Sequence, residues 1–121
     1  MELTINKKVY KFKAGIGFLR KINKTVTAPV QGSDERKEVG LRMMLIGLMD
    51  GEIEDLINAL DFTNEGLEPR ITRKEIEEYL EDETTDIDKL FEDLLDFFEK
   101  ANVSKRAMKL LKKQIEEAMS R

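Results

Sequence analysis

Asp86-Ile-Asp-Lys-Leu-Phe-Glu-Asp-Leu-Leu-Asp-Phe-Phe-Glu-Lys100 is the stretch whose reading decides the fold. Its apolar residues are Ile87, Leu90, Phe91, Leu94, Leu95, Phe97 and Phe98. All but Phe97 recur at i, i+3, i+4, i+7, i+8 and i+11, which is one face of an α-helix. Asp86 stands where an N-cap belongs, because its carboxylate can accept an otherwise unpaired backbone N–H. Asp88 in the first turn and Lys100 in the last both complement the helix dipole. Three of the chain's six phenylalanines lie here, so this face must be buried. The expectation is the central core helix of a small domain.

Working outward, helical patterns fill most of the remaining chain. Toward the N-terminus, Thr72 with Glu75 reads as a capping box opening a helix that carries Ile76, Tyr79 and Leu80. Ile53, Leu56, Ile57 and Leu60 predict an amphipathic helix over 52–64, after a break at Asp50-Gly51. Lys37 to Asp50 reads as a helix that is apolar over most of its girth: Val39, Leu41, Met43, Met44, Leu45, Ile46, Leu48 and Met49. Two readings of it stay open, the buried centre of the domain or a surface covered by a partner chain. Methionine is flexible and polarisable, so a surface bearing three of them tolerates varied partners. On the C-terminal side, Asn102 or Ser104 caps a last helix with the stripe Met108, Leu111, Ile115, Ala118 and Met119. Its basic part is Lys105, Arg106, Lys109, Lys112 and Lys113.

The first residues alternate in polarity instead. Glu2-Leu-Thr-Ile-Asn and Lys8-Val-Tyr-Lys-Phe-Lys flank Asn6-Lys7, and Asn tolerates the positive φ of a tight hairpin turn. A lone hairpin is marginal, so it must lay Leu3, Ile5 and Tyr10 or Phe12 on the helices. Its open edges are available to another copy. Gly15 and Gly17 suit entry into a helix with Ile16, Phe18, Leu19 and Ile22. Thr27 to Glu35, with Pro29 and Gly32, reads as a loop, and Ser33 or Asp34 as the next helix cap. The expected fold is mainly α: one small domain over 1–121, with a short β-hairpin over 1–13 and five to six helices over 15–121.

Composition narrows the chemistry. The 121 residues suffice for one domain that folds without disulfides or metal. Cysteine and histidine are both absent, which removes disulfides, Cys/His zinc sites, cysteine nucleophiles and the commonest general base. No nucleophile–base pattern and no phosphate loop is present; Gly15 and Gly17 are too few for one. The acidic connector from Asp82 lacks the glycine of a calcium loop, having Ile87 at position 6. The sequence therefore predicts a non-enzyme with no cofactor and no metal. The longest apolar run, Met43 to Met49, is too short to span a bilayer, and no signal peptide is visible. A soluble, intracellular protein is expected.

Charge is segregated along the chain. Residues 1–49 hold ten Lys/Arg and four Asp/Glu, residues 50–100 five and nineteen, and residues 101–121 six and two, for a net −4. Such blocks are ordinarily solvated faces, but they can also steer head-to-tail self-association. Lys7, Lys8, Lys11, Lys13, Arg20, Lys21 and Lys24, interleaved with Tyr10, Phe12 and Phe18, form a basic and aromatic cluster that suits a single strand. The acidic block repels phosphates, which disfavours nucleic acid.

Several segments together carry a family resemblance. Leu3-Thr-Ile-Asn-Lys-Lys-Val-Tyr-Lys-Phe-Lys, Gly17-Phe-Leu and Ile22-Asn-Lys resemble the start of tail assembly chaperones from long-tailed phages of Gram-positive hosts. So do Leu48-Met-Asp-Gly-Glu, Ile71-Thr-Arg-Lys-Glu-Ile-Glu-Glu-Tyr-Leu-Glu and Asp86-Ile-Asp-Lys-Leu-Phe-Glu-Asp. The likeness runs over almost the whole chain and rests on order and coverage, since none of these segments is a catalytic signature. It implies a small, mostly helical, non-enzymatic protein of the host cytoplasm. That protein coats the aggregation-prone tape measure protein before the tail tube polymerises, and is absent from the mature virion. The resemblance also implies many copies per client and, in many members, a frameshifted longer form beside a short form such as this one. The residues expected at the contact are Leu41, Met43, Met44, Ile46, Leu48 and Met49. A generic helical adaptor and, less favoured, a nucleic-acid-binding regulator are the alternatives.

Overall fold

Asn6 and Lys7 both take positive φ, 52° and 66°, and this two-residue turn sets the first hairpin. In the computed structural model, which describes residues 1–120, β1 (Glu2–Ile5) pairs antiparallel with β2 (Lys8–Lys11), Leu3 opposite Tyr10 and Ile5 opposite Lys8. The side-chain alternation puts Ile5, Tyr10 and Phe12 in the core and leaves Leu3 half-buried. This is the apolar face the sequence predicts. Helices follow: α1 (Ile16–Asn23), α2 (Gly40–Met49), α3 (Ile53–Asn64), α4 (Arg73–Glu81), α5 (Ile87–Lys100) and α6 (Lys105–Met119). The fold is a mainly α domain with an N-terminal hairpin, as expected.

The stretch read as a loop is a second hairpin. Thr27–Pro29 forms β3 and pairs with β4 (Arg36–Glu38), with Gly32 at φ 80° in the turn. Both strands are short, and neither has a buried residue, so no burial pattern announces them. Two side-chain contacts hold them: Arg36 Nε donates to Thr27 Oγ1 at 2.8 Å, and Arg36 Nη2 to the Thr27 carbonyl at 3.0 Å. Because β4 takes residues 36–38, α2 starts at Gly40 and not at Lys37. Its cap is not Ser33 or Asp34. Asn23 at the end of α1 reaches across and accepts from the Leu41 N–H at 3.0 Å. Gly40 is required there: a Cβ would lie 1.6 Å from the Ile22 carbonyl oxygen.

The predicted caps of α4 and α5 form. Thr72 and Glu75 make the reciprocal capping box, and Asp86 accepts from the Lys89 N–H at 3.1 Å. At α6 the capping position belongs to Ser104, but its hydroxyl is spent elsewhere, donating to the Phe98 carbonyl at 2.6 Å. The stripe of α5 buries Leu90, Leu94 and Phe98, and Phe98 stacks on Phe18 of α1 with ring centroids 5.6 Å apart. Ile87, Phe91, Leu95 and Phe97 stay half-buried, so α5 is a covering element. The central helix is α2, which packs against α1, α3, α5 and α6.

Asn64, fully buried at the end of α3, ties the pieces together. Its amide donates to the Lys11 and Pro69 carbonyls, and its oxygen accepts from Ile71 N–H and Arg70. Four bonds to two segments fix the first hairpin and the α3–α4 loop against the helices.

Candidate functional site

The six residues expected at a contact surface divide between two environments. Leu41, Met44 and Leu48 are buried in the core beside Leu45. Met43 is 45% exposed, and Ile46 and Met49 are half-buried. The division follows from helical geometry, since positions 41, 44, 45 and 48 share the face turned toward α1, α3 and α5. A helix apolar round most of its girth thus has one face in the core and one outside it. It is the centre of the domain, and it keeps an accessible edge.

That edge continues onto α6. Ile46 and Met49 line one side of a groove, and Leu111, Ile115 and Ala118 line the other. Arg42, Asp50 and Gln114 complete the rim, and Arg42 Nη2 donates to Gln114 Oε1 across it at 2.7 Å. Met43 stands outside the lining. The groove is apolar along its floor and open at the top. Its volume of about 270 Å³ is below the range of small-molecule pockets and suits a few side chains of a partner. Leu111, Ile115 and Ala118 were not among the expected contact residues, although their stripe is visible in the sequence. The missing signal is where the core stops. After Leu111 every described residue is exposed, so the last two turns of α6 extend their stripe beyond the domain. Ile115 is 44% and Met119 82% exposed.

A second opening lies between β1 and α5, lined by Met1, Leu3, Phe97 and Ala101 with Glu2, Asp93, Asp96 and Lys100. Its polar half is already engaged, since Lys100 Nζ pairs with Asp96 at 2.9 Å. The N-terminal lysines and aromatics do not form one surface, because Tyr10, Phe12 and Phe18 are core residues. Among the described residues no cluster of carboxylates has the arrangement to hold a metal ion. Also among them, no helix is long and apolar enough to cross a membrane.

The family model described as "Phage tail assembly chaperone protein, TAC" matches residues 2–113. The chain belongs to this family. The match takes in both hairpins, α1 to α5 and the first part of α6, so it covers nearly every element described above. No curated protein and no solved structure matches the chain. Membership gives this chain a role in phage tail assembly as a chaperone.

Proposed function

We propose that this tail assembly chaperone binds the tape measure protein of a long-tailed phage in the host cytoplasm, as multiple copies. It keeps that client soluble until the tail tube polymerises and does not enter the finished virion. The observation that carries this reading is the groove between α2 and the projecting end of α6. A tape measure protein is long and helical. An open apolar trough receives an amphipathic helix by taking its i, i+3, i+4 and i+7 side chains. The flexible Met49 lets one trough accept many different segments of a client.

The test is co-expression with the tape measure protein of the same phage, followed by fractionation and co-purification. The native chain should bring the client into the soluble fraction at many copies per client. Ile115→Asp with Ala118→Asp should leave the client insoluble while far-ultraviolet circular dichroism stays native, because both positions are exposed. A client that stays insoluble with the native chain overturns the chaperone–client reading and puts a generic adaptor ahead. Full co-purification by the double variant overturns the groove.

A further inference from the structure

The basic side of α6 is not used by the groove. Lys105, Arg106, Lys109, Lys112 and Lys113 put five cations and no carboxylate into nine residues. Lys112 Nζ meets Glu99 Oε1 at 2.6 Å; among the described residues the other four make no ion pair. Leu110 stands among Arg106, Lys109 and Lys113 and is 45% exposed. An apolar residue ringed by unpaired cations is the pattern of a small contact with an acidic partner, its apolar centre excluding water and its rim selecting charge.

A surface of the opposite sign is present on the same chain. Residues 77–99 hold eleven carboxylates and one lysine. Glu77, Glu78, Glu81, Asp82 and Glu83, on α4 and the turn after it, are exposed and make no ion pair among the described residues. The main neighbour of α4 is α3, whereas α6 packs on α5 and α2. The two faces therefore stand on different flanks and do not neutralise each other within one chain.

We infer that the basic face of α6 docks on the acidic α4 flank of a second copy, head to tail. At 1.5 Å rise per residue, Lys105 to Lys113 covers about 12 Å of α6 and Glu77 to Glu81 about 6 Å of α4, and Asp82 and Glu83 continue the acidic row into the turn. Contact between unlike faces is heterologous, so each added copy leaves one face of each sign open and an open row grows. Exposed ion pairs are individually weak and are screened within about 8 Å at physiological salt. The row is therefore feeble in free solution. Copies held side by side on one client meet at high effective concentration, which strengthens the same contact. Only that last step rests on the proposed function. A nucleic acid fits the basic face less well, because the acidic flank of the same molecule repels phosphates.

The test needs no client. Sedimentation velocity of the full chain at low salt should show a weight-average coefficient rising with concentration, and several-fold more salt should abolish the rise. Lys109→Glu with Lys113→Glu, and separately Glu78→Lys with Glu81→Lys, should each be monomeric at low salt with native circular dichroism. Their equimolar mixture should associate again, since each charge-reversed face meets its new complement. A native chain that stays monomeric at low salt overturns the proposal, and so does a variant that associates alone as the native chain does. Monomeric protein that instead shifts a short duplex DNA assigns the basic face to nucleic acid and overturns it equally.

Discussion

The Tyr10 hydroxyl donates to Glu75 Oε2 at 2.8 Å, joining the first hairpin to the start of α4 across 65 positions of sequence. Glu75 Oε1 meanwhile accepts from the Thr72 N–H and hydroxyl. The Tyr10 hydroxyl first, and then the Thr72 donors, hold the Glu75 carboxyl below its ordinary range. In return the Glu75 hydrogen bond, then burial, push the Tyr10 hydroxyl above its ordinary value. The signs follow by linkage. Glu75 contributes stability above the usual carboxylate range, and this is lost as pH falls through its lowered folded value. Tyr10 contributes below the usual phenol value, and this is lost as pH rises through its raised folded value. Tyr10→Phe should cost about 1 kcal/mol near neutrality, measured by urea unfolding, and less in acid where Glu75 is protonated. An equal cost at every pH would mean that the hydroxyl is not coupled to the carboxylate. The capping box was legible because its partners are three residues apart. The Tyr10 bond, Asn64 and the tight approach of Gly40 to Ile22 were not, since each joins segments that only the tertiary fold brings together.

At the scale of elements, α5 does not hold the central place its sequence suggests, and α2 takes it, which is one of the two readings its own sequence leaves open. The clean amphipathic stripe of α5 marks a helix with one buried side. The blurred, nearly all-apolar pattern of α2 marks the helix that touches four others. A hub lacks a polar face, so periodicity cannot say which of its residues remain accessible. The difference is testable within α2. Met44→Asp removes a core side chain and buries a charge, and the chain should fail to give a cooperative thermal transition. Met43→Asp, one residue earlier at an exposed position, should change stability by less than about 0.5 kcal/mol. Similar unfolding of both variants would mean that α2 is covered on the Met43 side as well. The second hairpin was illegible for the opposite reason. Its strands bury nothing, and hydrogen bonds along Thr27–Pro29 and Arg36–Glu38 leave no mark on hydrophobic pattern.

Over the whole molecule, the proposed surfaces differ in kind, and this separates their effects. The α2–α6 groove is apolar, so contact with a client helix should persist as salt rises. The contact between α6 and the α4 flank is ionic, so it should weaken steeply in the same range. Both surfaces share α6, one on its Leu111–Ile115–Ala118 side and one on its Lys109–Lys113 side. A copy seated in register on the client would therefore present its cations to the next copy. Filling of the client should then be cooperative at low salt and independent at high salt. Titrating a soluble tape measure fragment and counting bound copies by light scattering should give a steep isotherm that flattens with salt while the first copy still binds. Lys109→Glu with Lys113→Glu should flatten it at low salt without abolishing binding, and Ile115→Asp with Ala118→Asp should abolish binding at every salt. Loss of all binding with salt in the native chain would mean that charge, and not the groove, holds the client. An isotherm equally steep at every salt would mean that neighbouring copies touch through some surface other than the ionic one.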